Sequence, residues 1–273
     1  MFKIKLPRLR LPRAIALKFP RGGKIFTVRR RWITAGAAVL AAAGIFYVVT
    51  HPAVVGVSAT QRELPIYSVK RDNRAVSLTF DAAWGNEDTQ QLIDILGKYG
   101  ARATFFVVGA WAEKYPESAK ALTDAGHEVM NHSNDHAHFT KLSEAEIVAN
   151  ISAANRKIAA ATGVAPTLFR APYGEYDDNV IKTLRGMGMQ TIQWDVDSLD
   201  WKEIPAADIA KRVTEKVGPG SIVLFHNAAK HTPEALPGII EYLIKDGYAI
   251  VPVSELILKG EFTIDHTGRQ ASK

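Results

Sequence analysis

Two histidines four positions apart are the first residues of this sequence whose types and spacing suggest chemistry. His132 begins and His136 ends the segment His-Ser-Asn-Asp-His, and on a helical turn both imidazoles would face the same way. Such a pair suits a divalent transition metal, with zinc as the default. The chain contains no cysteine, so any metal must be held by His, Asp or Glu. A pair of surface histidines without a ligand is the alternative that the spacing leaves open.

Four further polar residues have the chemistry of an acid–base site. Asp81 could act as a general base, and Arg170 could orient a carboxylate through its planar guanidinium. His226 could act as a general acid, with Asp200 fixing its tautomer and raising its pKa. Three of them also have a structural alternative, namely an Asx cap for Asp81, a surface ion pair for Arg170 and a satisfied core histidine for His226. Three more histidines fit no pattern and are expected to be structural or solvated: His127, His138 and His231.

The segments that must position these residues are predicted to be alternating strands and helices. Amphipathic stripes at helical spacing, such as Leu236, Ile239, Ile240 and Leu243, separate short apolar segments rich in β-formers. This alternation predicts an α/β fold built on a parallel sheet, and periodicity leaves an open sheet and a barrel equally possible. The predicted strands are Ala75–Phe80, Ala103–Val107, Glu128–Met130, Thr167–Phe169, Gln190–Trp194, Ser221–Phe225 and Tyr248–Val251.

Five of these seven strands run directly into chemically capable residues. The strands are followed in turn by an acid, a histidine pair, an arginine, a cluster of acids and a histidine. In parallel α/β folds, reactive side chains collect just past the carboxyl ends of the strands. We therefore expect these residues to meet at one rim of the sheet.

Read together, the residues at this rim resemble the polysaccharide deacetylase family, also described as the NodB-homology domain or carbohydrate esterase family 4. The match covers roughly residues 75–258, and the resemblance implies a distorted (β/α) barrel. The five motifs that carry it appear in order: Thr79-Phe80-Asp81, His132-Ser133-Asn134-Asp135-His136, Arg170-Ala171-Pro172-Tyr173-Gly174, Asp197-Ser198-Leu199-Asp200-Trp201 and Leu224-Phe225-His226.

The resemblance implies a mechanism in which a metal ion and a base act together. His132 and His136 would hold the ion, zinc in the first place and cobalt or nickel otherwise. The water bound to the ion would attack the acetamide of an N-acetylated sugar. Asp81 would act as the base for this water, and Arg170 would orient Asp81.

The remaining matched residues would stabilise and complete the reaction. His226 would protonate the departing amine with the support of Asp200, and the backbone N–H of Tyr173 would help to stabilise the oxyanion. Trp201 and Leu224 would line the acetyl pocket. The substrate implied is an N-acetylated cell-wall glycan, either peptidoglycan or a chitooligosaccharide.

One position departs from the family pattern. A second aspartate usually follows the first and completes an Asp-His-His metal triad, but this chain has Ala82 there. A methyl group cannot coordinate a cation, so a neighbouring acid or water would have to replace it. The possible substitutes are Glu87, Asp88 and Asp135. The Phe-Asp-x-x-Trp-Gly variant looks like the sporulation-associated, PdaB-like branch, which acts on cell-wall peptidoglycan and carries one N-terminal membrane segment.

The positive charge of the chain is confined to its beginning. Residues 1–31 contain eleven Lys or Arg and no acid, whereas acids outnumber bases in the rest. Residues 32–50 follow without a charge, and as a helix they would span ~28 Å, close to the thickness of a bilayer core. Clustered positive charge stays in the cytoplasm, which predicts a single-pass cell-membrane protein with an extracellular catalytic domain. A signal peptide cleaved near Val57-Ser58-Ala59 is the alternative.

These observations predict a domain order and two functions that compete. The order is a basic cytoplasmic tail (1–31), a transmembrane anchor (32–50), a connector (51–70), the catalytic domain (71–260) and a polar tail (261–273). The favoured function is metal-dependent deacetylation of the glycan. The alternative is a catalytically impaired glycan-binding cell-wall or sporulation protein on the same fold, because of Ala82. A nucleic-acid partner is not expected, because topology and anionic lipid account for the basic tail.

Overall fold

The structure, a computed structural model, describes residues 14–18, 25–50 and 62–273. The chain divides into two compact units, Met1–Gln61 and Arg62–Lys273. In the first unit, β1 (Ala14–Lys18) and β2 (Ile25–Arg29) form an antiparallel pair within the segment predicted as a basic tail. The proposed cleavage site and most of the predicted connector lie outside the described residues.

The helix α1 (Arg30–Thr50) occupies the predicted anchor. Its stretch Arg31–Val48 is long and apolar enough to cross a membrane, and none of it is buried in the protein. A leader sequence near the N-terminus would have the same length and composition. The helix therefore fits either an anchor or a signal peptide.

The second unit contains a large parallel sheet and a small sheet. The large sheet has the strand order β8-β7-β6-β5-β4-β10-β9, with β11 paired to the start of β4. Its strands are β4 (Ala75–Ala82), β5 (Thr104–Val107), β6 (Glu128–Asn131), β7 (Leu168–Phe169), β8 (Gln190–Thr191), β9 (Val196–Asp197), β10 (Ile222–His226) and β11 (Ala249–Ile250). All seven predicted strands are present, and β9 is a short addition.

Helices follow most of these strands, as the alternation predicts. They are α2 (Thr89–Lys98), α3 (Gly109–Lys114), α4 (Pro116–Asp124), α5 (Glu144–Thr162), α6 (Asp178–Gly186), α7 (Ala206–Thr214), α8 (Thr232–Lys245) and α9 (Val253–Leu256). The longest, α5, begins with a capping box between Ser143 and Glu146 and ends at Gly163 in the left-handed conformation. These local signals explain why α5 begins and ends where it does.

The sheet curls into the predicted distorted barrel. The segment before β4 bridges its two sides, because Ile66 pairs with Ile192 after β8 and Ser68 pairs with Ser221 before β10. The central strand β4 is buried along its whole length. Phe80 on this strand stacks between Phe105 and Phe225, with ring centroids 4.7 and 5.4 Å apart.

Both ends of the second unit contribute to a small three-stranded sheet. Its strands are β3 (Ser68–Val69), β12 (Phe262–Ile264) and β13 (Arg269–Ser272). The strand β13 pairs with β12 in antiparallel and with β3 in parallel orientation. The segments predicted as the end of the connector and as a polar tail therefore belong to the compact unit.

Candidate active site

Asp81 lies at the carboxyl end of the central strand and is almost fully buried. The Nη1 atom of Arg170 donates a hydrogen bond of 2.8 Å to Oδ1 of Asp81. The other oxygen, Oδ2, lies 3.6 Å from Nε2 of His132. Burial by itself would raise the pKa of Asp81, but the charge and hydrogen bond of Arg170, with smaller contributions from the nearby imidazoles, lower it overall. The carboxylate is therefore held in its ionised form.

Arg170 is fully buried, so the surface ion pair considered above is wrong for this residue. Besides Asp81, its guanidinium donates to Oγ1 of Thr79 (2.8 Å) and to the backbone oxygen of Gln193 (3.0 Å). Its Cζ also lies 4.2 Å from the centre of the Phe106 ring. A planar fork with this many fixed partners sets the position of the Asp81 carboxylate.

The His132–His136 segment is not helical, contrary to the geometry expected from the spacing. It is an irregular turn in which Ser133 and His136 have φ values of 76° and 60°. Side chains hold this turn, because Oδ1 of Asn131 accepts from the N–H of Ser133 and Oγ of Ser133 accepts from the N–H of His136. The two imidazoles still meet, with ring centroids 5.1 Å apart. Side-chain hydrogen bonds within the turn thus do what a helical turn was expected to do.

The chemistry of the two imidazoles fits part of a metal site. The carbonyl oxygen of Arg170 lies 2.8 Å from Nδ1 of His132 and can only accept, so Nδ1 carries the proton and Nε2 keeps its lone pair. Burial lowers the pKa of His132 and lowers that of His136 to about 4, so both rings are neutral, as metal ligands must be. In addition, Nδ1 of His136 is buried and has no hydrogen-bond partner among the residues that the structure describes.

The third metal ligand of the family pattern is missing. Ala82 is buried in β4, and within residues 14–18, 25–50 and 62–273 no three His, Asp or Glu side chains are grouped to hold a metal ion. The candidate substitutes are engaged elsewhere. Oxygens of Glu87, Asp88 and Asp135 accept hydrogen bonds from the N–H of Asn86, the N–H of Ala228 and the side chain of Asn150, respectively.

His226 and Asp200 form a tight pair at the end of β10. Nδ1 of His226 lies 2.8 Å from Oδ1 of Asp200, while Oδ2 accepts from the backbone N–H of His226 and from Oγ1 of Thr232. Burial favours a neutral His226, but the hydrogen bond and charge of Asp200, helped by Asp81, raise its pKa. With Nδ1 of His226 donating its proton to Asp200, Nε2 of the same ring is free to carry a second proton.

The residues matched to the oxyanion hole and the acetyl pocket differ in exposure. Tyr173 lies in a short 3₁₀ turn, Pro172–Gly174, has a positive φ of 60° and is more than half exposed. Trp201 is also more than half exposed, whereas Leu224 is buried within β10. A positive φ is unusual for tyrosine and turns its backbone N–H away from regular pairing.

Three residues that contact the site residues were not predicted to do so. The contact of Thr79 with the site could have been predicted from the sequence, because residues two apart on a strand share a face and Thr79 precedes Asp81 by two. No sequence pattern predicts the role of Thr232 at the start of α8, since only the tertiary fold brings it to Asp200. His138, expected to be structural or solvated, stacks on Tyr173 with ring centroids 4.4 Å apart.

Comparison with protein families and with solved structures identifies relatives of this chain. Residues 68–192 match the family model described as polysaccharide deacetylase. The chain is 30% identical to a chitooligosaccharide deacetylase of Bradyrhizobium, over 71% of this chain and 98% of that protein. It is 35% identical to the peptidoglycan-N-acetylmuramic acid deacetylase PdaC of Bacillus subtilis, over 69% of this chain. The chain spans 40% of the length of PdaC and 60% of that of YlxY, another B. subtilis relative.

Among solved structures, the chain resembles a Bacillus anthracis protein described as a pseudoenzyme of the CE4 family. The two are 38% identical, with a TM-score of 0.68, and the match covers 70% of this chain and 68% of that one. A mutant of that protein is described as having restored enzymatic activity. The motif residues, the curled parallel sheet and these similarities agree, and the chain belongs to the polysaccharide deacetylase family.

Proposed function

We propose that the protein removes acetyl groups from N-acetylated sugars of cell-wall glycan, with peptidoglycan or a chitooligosaccharide as substrate. The main observation behind this proposal is that two acid–base groups lie at one rim of the sheet, each held by a charged partner. Arg170 holds Asp81 ionised, and Asp200 holds His226 in the form that can carry a proton. A module that only binds sugar has no use for a buried base and a separately supported acid. Relatives named as deacetylases of both substrates support the same reaction.

In this mechanism Asp81 takes a proton from the water that attacks the acetamide carbon. Arg170 occupies one carboxylate oxygen, which leaves the oxygen near His132 available for the water. Because the pKa of Asp81 is lowered, the carboxylate is a weak base and the water must be made more acidic. A divalent metal supplies this chemistry when bound, since it lowers the pKa of a coordinated water and polarises the carbonyl.

The departing amine leaves with a proton from His226. Cleavage of the C–N bond releases acetate and a free amino sugar, and the amine nitrogen needs the proton as that bond breaks. The raised pKa of His226 keeps the ring charged to higher pH, so the proton is available. The backbone N–H of Tyr173 would donate to the developing oxyanion.

His132 and His136 are the residues that would hold the metal, with zinc as the first choice and cobalt or nickel as others. The lone pair left on Nε2 of His132 and the unpartnered Nδ1 of His136 support this assignment. Water would complete the coordination where the family has its second aspartate. The site should therefore hold its metal less tightly than a site with three protein ligands.

Acetate release by the purified full-length chain in detergent tests the proposal. The chain should release acetate from peptidoglycan or from a β-1,4-linked N-acetylglucosamine oligomer when zinc, cobalt or nickel is supplied. His132→Ala should lose both acetate release and bound zinc. Absence of acetate from both substrates with all three metals would refute deacetylation, and unchanged zinc stoichiometry in His132→Ala would refute the ligand assignment.

A catalytically impaired glycan-binding protein is the second candidate. Two observations favour it, namely Ala82 at the third ligand position and the similarity to a structure described as a pseudoenzyme. It predicts glycan binding with no acetate release under any metal. The retained Asp81–Arg170 and His226–Asp200 pairs make deacetylation the stronger proposal.

The site would act outside the cell, held at the cell membrane by α1. The uncharged stretch of α1 and the eleven basic residues in the first 31 support a single-pass topology with a cytoplasmic N-terminus. Protease added to intact cells should cut the catalytic domain, and the full-length chain should sediment with membranes. Recovery of a soluble, shortened chain would indicate a cleaved signal peptide. The sporulation role rests on the branch resemblance and stays a prediction.

A further inference from the structure

Trp84 is an exposed aromatic residue beside the candidate active site to which the proposed mechanism gives no role. The residue is 67% exposed, although an indole is among the side chains that gain most from burial. It lies just past the end of β4, three residues after Asp81. Its ring contacts the ring of His136, with centroids 4.8 Å apart. An apolar surface of this size, left open beside a reactive centre, is suited to a ligand.

The backbone that carries Trp84 is held firmly. The side chain of Asn227 donates to the carbonyl oxygens of Trp84 (2.7 Å) and Gly85 (2.9 Å). The indole of Trp111 also donates to the Gly85 oxygen, and Oδ1 of Asn227 accepts from the N–H of Ala83. These bonds fix the turn, so the exposed position of the Trp84 ring follows from the fold. A surface presented in this way binds with little loss of conformational entropy.

A second exposed aromatic residue contacts the same histidine. The ring of Tyr173 lies 4.6 Å from that of His136 in an edge-on arrangement. Its own ring is stacked by His138, whose Nδ1 pairs with Glu175 at 2.9 Å. His136 is therefore in contact with two exposed aromatic rings, that of Trp84, whose backbone is fixed, and that of Tyr173, on which His138 stacks.

We propose that Trp84 and Tyr173 form an aromatic platform that stacks against the pyranose rings of the glycan at the reacting acetamide. The carbon-bound hydrogens on a pyranose face are apolar, whereas its rim is covered with hydroxyls. A flat, rigid aromatic ring matches such a face and leaves the hydroxyls in water. Trp84 is the specificity-determining member, because its indole offers the larger face. This inference rests on the proposed glycan substrate and adds the surface that recognises it.

Binding without turnover separates this inference from deacetylation. The full-length chain in detergent, with EDTA present, is titrated with a β-1,4-linked N-acetylglucosamine tetramer and followed by calorimetry. Trp84→Ala should weaken binding about tenfold, while Trp84→Phe, which keeps a flat ring, should stay within about threefold of the wild type. Tyr242→Ala, which removes an exposed aromatic residue on α8, is the matched control and should leave affinity unchanged.

Fluorescence distinguishes direct stacking from an indirect effect through His136. Sugar stacked on Trp84 should change the tryptophan fluorescence of the wild type and of Tyr242→Ala. Trp84→Phe should show no such change, although calorimetry should still detect binding of the tetramer. The inference is overturned if the tetramer does not bind, if Trp84→Ala binds as tightly as the wild type, or if Trp84→Phe keeps the full emission change. Binding that depends on Trp84 without any acetate release in the metal assay would refute deacetylation alone.

Discussion

The two halves of the candidate site differ in how completely they are built. In the acid–base half, the buried carboxylate of Asp81 is paired with Arg170, and that of Asp200 is paired with His226 and accepts further hydrogen bonds. In the metal half, a buried nitrogen of His136 has no partner within the described part of the chain, and the third ligand position is Ala82. The groups proposed to move protons are therefore held by more partners than the groups proposed to bind the cation.

This contrast has a physical consequence for the order of effects. A buried charge whose partner is removed cannot be rescued by solvent, so changes to the buried Asp81–Arg170 pair should be severe, whereas the partly exposed His226 should tolerate the loss of Asp200 better. A cation site that lacks a protein ligand can take water in its place, so changes there should be graded. Four variants test this comparison.

Removing the base should have the largest effect. Asp81→Asn keeps the shape of the side chain but cannot accept the proton from water, so kcat for acetate release should fall ~10²–10⁴-fold. The measurement is steady-state acetate release with saturating zinc. Activity within a few fold of the wild type would show that Asp81 is not the base.

Arg170→Met should lower the free energy of unfolding by ~3–5 kcal/mol, because it leaves the Asp81 carboxylate buried without its partner. Urea unfolding at neutral pH measures the loss. The double variant Asp81→Asn/Arg170→Met contains neither charge and should be more stable than Arg170→Met alone. Equal stability of the two variants would show that Asp81 carries no uncompensated charge.

Ala82→Asp should strengthen the proposed metal site by supplying a third ligand, a carboxylate. Zinc affinity should rise about tenfold or more, as measured by competition with a chelator. Ala160→Asp, at an exposed position of α5, adds the same charge away from the site and serves as the control. No gain in Ala82→Asp would indicate that the geometry around the two histidines does not suit three-ligand coordination.

Asp200→Asn should have the smallest effect on the maximal rate but a clear effect on its pH dependence. Asp200 raises the pKa of His226, so its neutralisation lowers that pKa. The protonated acid is then lost at lower pH, and the alkaline limb of the kcat profile should move in the acid direction. Asp197→Asn removes a weaker, more distant influence and should move the limb less. An unmoved limb in Asp200→Asn would exclude His226 as the acid.

Much of the fold could be predicted because its signals are local. All seven predicted strands were found from apolar segments of three to six residues, and the glycine that ends α5 is likewise a local signal. The bridge of Ile66 to Ile192 had no such signal, since it depends on how far the sheet curls. The strands at residues 262–264 and 269–272 were missed because their segment is polar and short.

The sequence by itself determined which chemical groups reach the rim, because the carboxyl ends of parallel strands share one edge and each motif follows a strand. It also determined that one metal ligand is absent, since Ala82 has no donor atom. Only the tertiary structure decided how those groups are held. The burial of Arg170, the non-helical turn at His136 and the exposed ring of Trp84 come from contacts between distant segments, which no local pattern encodes.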